Sequence, residues 1–383
     1  MLDKIILAPY YLTLKLRHLL YDKGIYKVSR SEVPTICVGN INAGGTGKTP
    51  HTEMIIKTLL KSAEWGDSNV AVLSRGHKRS SGGFRVVPGD GKVVDYGDEP
   101  LQLKRKFPGV TVAVDRNRVE GCDFLSHPEK LKTSKRARAC VDKDIPKADV
   151  VVLDDAFQYR SLDADVKIVL VDYNNPTFKD NLLPLGRLRD LPERLGCADV
   201  LIVTKCPTYI PDEERLEWVK NFGFKEFDID TCVGVDKKGR RKTLLFTSIN
   251  YQPLQPIYHD VADQRYAYSK KLVMFSGIAK DTPLRRYLSD NYKIVKRFAF
   301  ADHHNYHRMD FRKIMRAVEA NPTAVVATTE KDCQRVRDYK RVPEKLKTRL
   351  FVVPIEVAFL SEKERVVFET TLMNALRASR NDI

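Results

Sequence analysis

The chain lacks the marks of several protein classes. It has no apolar run long enough to cross a bilayer: the longest uncharged stretch near the N-terminus, Ile5 to Leu14, is ten residues, against about 20 for a spanning helix. No small-residue cleavage site follows it, so a secretory signal is not expected. There is no CxxC pair. Seven cysteines stand at positions 37, 122, 140, 197, 206, 232 and 333, an odd number with neither zinc nor disulfide spacing, which fits a reducing compartment. Repeats, low-complexity tracts, zinc fingers and RNP-type aromatic motifs are all missing, so a nucleic-acid partner is not expected. Acidic residues are in deficit, 50 against 66 Lys plus Arg, for a net charge of +16. That excess suits an anionic partner, whether an acidic membrane surface, a phosphorylated substrate or nucleic acid.

What is present is a globular composition, 43% apolar and 30% charged over 383 residues, enough for two domains. Near the N-terminus, apolar and aromatic residues mix with Lys4, Lys15, Arg17, His18 and Lys23. Residues 1–28 therefore read as an amphipathic helix lying in a membrane interface, or as a first helix packed on its own domain. Short apolar runs follow with helical stretches between them: "TICV" (35–38), "VAVL" (70–73), "VTVAV" (110–114), "DVVVL" (149–153), "KIVLV" (167–171) and "VLIV" (200–203). This alternation predicts an α/β fold with a mostly parallel, doubly wound sheet over residues 29–240. A second, smaller α/β domain over 241–383 is expected from "LLF" (244–246), "KLVMF" (271–275), "YKIVKRF" (292–298), "AVVAT" (324–328) and "LFVVP" (350–354).

The stretch "INAGGTGKTP" (41–50) joins the first strand to "TPHTEMIIKTLLKS", whose Met54, Ile55, Leu59 and Leu60 have helical spacing. A glycine-rich turn between a strand and a helix N-terminus is the context of a P-loop. Gly44, Gly45 and Gly47 let backbone N–H groups converge on phosphate oxygens, aided by the helix dipole. Lys48 would reach the β- and γ-phosphates and Thr49 would bind Mg²⁺. The candidate ATP-binding set is Asn42, Ala43, Gly44, Gly45, Thr46, Gly47, Lys48 and Thr49. Asn42 stands where the usual pattern has glycine. Ala43 stands where deviant P-loop ATPases carry a signature lysine, which argues against that group. "DVVVLDD" ends a strand with Asp154 and Asp155, one of them the natural Mg²⁺ holder of a Walker B element. Adjacent residues on a strand point oppositely, so the two should have different jobs.

These pieces taken together resemble the tetraacyldisaccharide 4'-kinase family. The matching segments are "VGNINAGGTGKTP", "LSRGHKRSSGG", "DYGDEPLQL", "LDDAFQYR", "LLPLGRLRD", "ADHHNYHRMD" and "TTEKD", in the family's order from about residue 30 to about 335. The resemblance implies a P-loop NTPase-like fold. It also implies ATP- and Mg²⁺-dependent transfer of a γ-phosphoryl group to the 4'-hydroxyl of an acylated glucosamine disaccharide 1-phosphate, a lipid A precursor. It places the protein, as a monomer, on the anionic surface of the inner membrane, peripheral to its cytoplasmic face. The sequence departs from the family pattern at His77, Ala156 and Tyr159, where Tyr, Gly and His are usual. Other classes open to a P-loop chain are an NTPase with water as nucleophile and a nucleotide switch.

The resemblance further implies a catalytic pair, Asp98 in "GDEP" and His303 in "DHH". From the residues alone Asp98 is a turn residue, and "DHH" is a metal site or a set of structural histidines, with His304 and His307 the weaker candidates. Glu99 is a further metal-side carboxylate or a helix-start residue. Arg75, Arg116 and Arg189 are candidates for phosphate or sugar-phosphate contacts, since guanidinium binds such anions bidentately. "TTEKD" (328–332) reads as a clamp on the nucleotide or a plain strand-end turn.

Overall fold

The computed structural model describes residues 2–382. Its larger sheet has eleven strands. Seven central ones run parallel in the spatial order Thr111–Val114, Val70–Ser74, Val150–Asp154, Thr35–Gly39, Val166–Asp172, Val200–Thr204 and Arg241–Tyr251. Short antiparallel strands flank both ends. The central strands are Val-, Ile- and Leu-rich and buried on both faces, as parallel strands sandwiched between helices must be. One face carries Cys37, Leu73 and Leu153; the other packs Val38, Val72 and Val152 against Ile55 and Leu59 of the helix Lys48–Lys61 and Phe368 and Leu372 of the C-terminal helix. From Thr35–Gly39 the chain first winds to one side and later, at Val166–Asp172, to the other. Such a reversal leaves a crevice at the carboxyl ends of the strands, where open α/β sheets bind ligands.

The second sheet has five strands in the order Gln255–Pro256, Leu350–Val353, Val325–Thr329, Lys271–Ser276 and Lys293–Ala299, the last four parallel. "LLF", expected to open this second unit, lies instead in the larger sheet: Thr243–Phe246 pair in parallel with Val200–Val203. A short apolar run reads the same in either sheet, and only the pairing partner distinguishes them. The end of that strand, Thr247–Tyr251, pairs antiparallel with Ile355–Phe359, so the chain returns to the larger sheet before the helix Glu362–Asp382.

The first helix, Leu2–Asp22, has one packed and one exposed face. One face is packed: Leu14 is buried, His18 Nε2 lies 2.6 Å from Asp190 Oδ1, and Tyr10 donates to the Arg189 carbonyl at 3.0 Å. The other face leaves Leu12, Leu16 and Leu19 exposed at helical spacing, continued by Ile25, Tyr26 and Val28. Among the described residues no helix is long and apolar enough to cross a membrane.

Candidate active site

The glycine-rich loop leaves the strand Thr35–Gly39 at the crevice. Gly44 and Gly47 have φ of 111° and 87°, values open to glycine at little cost, and a side chain at Gly44 or Gly45 would meet only open space. Those glycines thus leave room for a phosphate in front of the helix Lys48–Lys61. The start of the loop is held from behind. Ala43 N–H donates to the Arg187 carbonyl, and Asn42 bridges to Leu188. The Ala43 N–H is therefore spent on the protein, and the open donors begin at the glycines. From the other side Thr204 Oγ1 donates to the Thr46 carbonyl at 2.9 Å, and Lys205 Nζ bonds the Gly45 carbonyl and Asp172.

Asp154 and Asp155 have the different environments their alternation predicts. Asp154, the last residue of its strand, is buried and accepts from Thr52 Oγ1 and Ser74 Oγ, each at 3.2 Å. Burial, then repulsion from Glu99 and Asp155, pushes its carboxyl up to about 6. Asp155 begins the turn with φ of 50°. Burial opposes its ionisation, but Lys48 and Arg189 outweigh that and hold its pKa below the usual carboxylate value. Lys48 Nζ is 3.7 Å from Asp155 Oδ1, and Arg189 grips both Asp155 oxygens while its Nη2 donates to Asn40 Oδ1 at 2.6 Å. Arg189 thus binds a carboxylate of its own chain. Arg75 and Arg116 are exposed at the ends of strands Val70–Ser74 and Thr111–Val114. The candidate donors for a metal are all oxygen: Thr49, Asp154 and, further round, Glu99. Hard oxygen donors in a cluster of mutually repelling carboxylates suit Mg²⁺. Among the described residues no three His, Cys, Asp or Glu side chains converge as a metal cage.

Asp98 opens the helix Asp98–Lys106, beside the larger sheet, and is buried. His303 lies in the loop between Lys293–Ala299 of the second sheet and the helix Arg308–Glu319. The fold brings them together: His303 Nδ1 is 3.0 Å from Asp98 Oδ2. The other histidines of the segment do different work. His304 stacks on Phe300 and pairs with Asp310 at 2.9 Å, and His307 caps the helix Arg308–Glu319. His304 and His307 therefore make contacts separate from that of His303 with Asp98. Glu99 accepts from Lys331 at 2.6 Å; burial raises its pKa, but Lys331 and then Lys48 bring it below the usual value. Glu99, the chain neighbour of Asp98, is thus held ionised partly by Lys48 of the phosphate loop. His77 lies on the open side, its ring centroid 6.0 Å from that of His303. Tyr159 points elsewhere, donating to Asn117 at 2.9 Å, and Ala156 is buried.

Four participants were not picked out in the sequence: Asn40, Lys205, Lys331 and Arg335. Lys331 stands inside "TTEKD", whose helix, Glu330–Asp338, lies against Asp98–Lys106. Arg335 is one turn beyond that motif on the same face as Asp332, a spacing that the motif's boundary hid.

A glycine-rich loop between strand and helix, an aspartate pair at the end of the next strand and a parallel sheet define a P-loop NTPase-like protein. Comparison with known proteins narrows the class. The family model for tetraacyldisaccharide-1-P 4'-kinase (LpxK) matches residues 4–377. A tetraacyldisaccharide 4'-kinase of Phocaeicola vulgatus is 36% identical over 372 residues, covering 96% of this chain and 92% of that protein. One from Cytophaga hutchinsonii is 32% identical, covering 97% of each. The chain therefore belongs to the tetraacyldisaccharide-1-P 4'-kinase family. Its fold is also that of a crystal structure of LpxK from Aquifex aeolicus in complex with ATP, with a TM-score of 0.68 at 24% identity over 98% of this chain and 100% of the other.

Proposed function

We propose that this protein is an ATP-dependent kinase that phosphorylates the 4'-hydroxyl of a tetraacyldisaccharide 1-phosphate. The observation that carries the reading is the Asp98–His303 pair, joined at 3.0 Å across 205 residues. Phosphoryl transfer needs positioned phosphates and one group to orient or deprotonate the acceptor. The backbone of Gly44–Gly47 and Lys48 hold the phosphates. Mg²⁺, when bound, neutralises charge on them; Thr49 and Asp154 are the residues that would hold it, while Asp155 is kept as the counter-ion of Lys48 and Arg189. The acceptor oxygen forms a bond to the γ-phosphorus as the bond to the bridging β–γ oxygen breaks. The hydroxyl proton passes to the Asp98–His303 pair, in which carboxylate and imidazole fix each other's orientation. Arg75 and Arg116, exposed and uncommitted to any carboxylate among the described residues, are the candidates for the acceptor's phosphate.

The exposed apolar row Leu12, Leu16, Leu19, flanked by Lys15 and Lys23, supports peripheral attachment to an anionic membrane face; a monomer on the cytoplasmic side of the inner membrane completes the proposal. The test of the whole reading is incubation with γ-labelled ATP, Mg²⁺ and the disaccharide lipid. Label on the lipid supports it; label appearing only as inorganic phosphate, whether or not lipid is present, contradicts it.

A further inference from the structure

The Asp98–His303 pair belongs to a closed ring of buried groups and the half-buried His303, and Arg335 closes it. Arg335 stands on the helix Glu330–Asp338, and its side chain is 3% exposed. Its Nε donates to Asp98 Oδ1 at 2.9 Å and its Nη2 to Asp98 Oδ2, a two-pronged grip on the carboxylate. Its Nη1 lies 3.3 Å from Asp332 Oδ1, one turn back on the same helix. Asp332 is fully buried and is fixed by the Gly277 N–H at 3.0 Å and by Thr329 Oγ1 at 2.7 Å. The Gly277 carbonyl in turn accepts from the His303 N–H at 3.1 Å, and His303 completes the circuit to Asp98. Arg335 Nη2 also lies 2.9 Å from His303 Nδ1.

The consequences follow from the donor count. Asp98 has two oxygens, and both accept from one rigid guanidinium, whose fork matches a carboxylate in a way an ammonium cannot. The plane of the carboxylate is thereby set, and with it the direction in which Oδ2 meets the imidazole. Burial of the guanidinium disfavours its charge, but its hydrogen bonds to Asp98 and the field of both carboxylates hold its pKa above the ordinary arginine value. Without Arg335, Asp98 and Asp332 would be two buried carboxylates with no cation between them.

We infer that Arg335 is a positioning residue for phosphoryl transfer: it does not touch the acceptor but holds Asp98 so that Asp98 can orient His303. This rests on the kinase reading above. It also means that the orientation of the pair is set from the second sheet, through Asp332 and Gly277.

The test is a mutant cycle on the full-length enzyme with Mg²⁺, ATP and the disaccharide lipid, using Arg335→Gln, Arg335→Lys, Asp98→Ala and the Asp98→Ala/Arg335→Gln double variant. Arg335→Gln should lower kcat by roughly 10²-fold, the low end of general-base effects, with KM for both substrates and the Kd for ATP little changed. The double variant should fall no further than Asp98→Ala, because residues acting as a unit are not additive. Arg335→Lys, which keeps the buried cation but not the fork, should fold and recover part of the lost kcat. It carries the decision if Arg335→Gln unfolds. Wild-type kcat in Arg335→Lys, or losses that multiply in the double variant, would overturn the inference. Asp98→Ala without activity beside Arg335→Gln at the wild-type rate would overturn it alone, whereas a fully active Asp98→Ala would bring down the kinase reading of the pair with it.

Discussion

At the phosphate loop, the principal polar groups hang from one sheet. Lys48 and Thr49 follow the strand Thr35–Gly39, and Asp154 ends the adjacent strand, with Val38 and Asp154 paired in register. At Asp98 the parts come from two bodies of structure: the carboxylate from a helix beside the larger sheet, His303 and Arg335 from elements around the smaller one. Folding of the larger sheet completes the first site. The second exists only while the two sheets are docked, held by Lys331 on Glu99 and Lys106 on Glu330 as well as by Arg335. On the proposed reading, the difference means that holding the nucleotide and handling the acceptor's proton are separable functions.

Substitutions that touch only one site are the sharpest way to break this comparison. The largest effect is expected at the loop. Lys48→Ala should abolish transfer and weaken ATP binding together, since removal of one preorganised charge at a reacting centre alone costs roughly 10²–10³-fold and the nucleotide loses its anchor as well. Equilibrium binding of labelled ATP and steady-state rates check this.

Asp154→Asn should separate stability from activity. Burial, with Glu99 and Asp155 nearby, raises the Asp154 pKa to about 6 in the folded chain, against an ordinary 3.8. A raised carboxyl stabilises fully below its unfolded pKa and loses that stabilisation as pH rises through about 6, so at pH 7 the ionised group works against the fold. The Asn variant should therefore be more stable at pH 7 without nucleotide, by up to about 3 kcal/mol, yet inactive and no longer stabilised by Mg²⁺ beyond ATP alone. Thermal unfolding with and without the ion reads both; an unchanged Tm together with wild-type activity would remove Asp154 from the metal site.

Lys331→Met should have a smaller effect, a loss of severalfold in kcat/KM, because it removes one part-buried ion pair between the docked elements and leaves Arg335 in place. The Kd for ATP measured on the loop should move little.

The smallest effect at neutral pH is expected at His51, behind the loop. Burial pulls this imidazole down to about 4 from an ordinary 6.5. Its Nδ1 lies 2.7 Å from the Gly47 carbonyl, which can only accept, so Nδ1 carries the proton; Nε2 faces Thr247 Oγ1 at 3.0 Å. The unfolded chain takes up a proton below about pH 6.5 and the native chain does not until about 4. Stability from this group is complete above 6.5 and should be lost progressively down to about 4, by about 3 kcal/mol in all. His51→Gln should flatten that stretch of the Tm–pH curve while changing little at pH 7.5.

What could be read in the sequence divides along the same line as the two sites. "GGTGKT" between a strand and a helix, and "DD" at a strand end, are local signals, because a parallel strand and its following turn are contiguous in the chain. The different environments of Asp154 and Asp155 followed from strand alternation alone. Asp98 with His303 was accessible only through resemblance, since no periodicity links residues 205 apart. Arg335 was not seen at all: its partner Asp98 lies 237 residues away, and an arginine in a chain of +16 attracts no attention. The run "LLF" reads as a strand in the sequence, but its place in the larger sheet does not, because hydrophobic pattern reports burial and not pairing. The N-terminal helix left two readings open for a physical reason, as one of its faces is packed and the other exposed.

The most direct test of separable sites measures kcat and the Kd for ATP side by side in Lys48→Ala and Asp98→Ala. The two-site account predicts that Lys48→Ala loses both, whereas Asp98→Ala loses roughly 10²–10⁴-fold in kcat with the wild-type Kd. A Kd that rises as much in Asp98→Ala as in Lys48→Ala would contradict it.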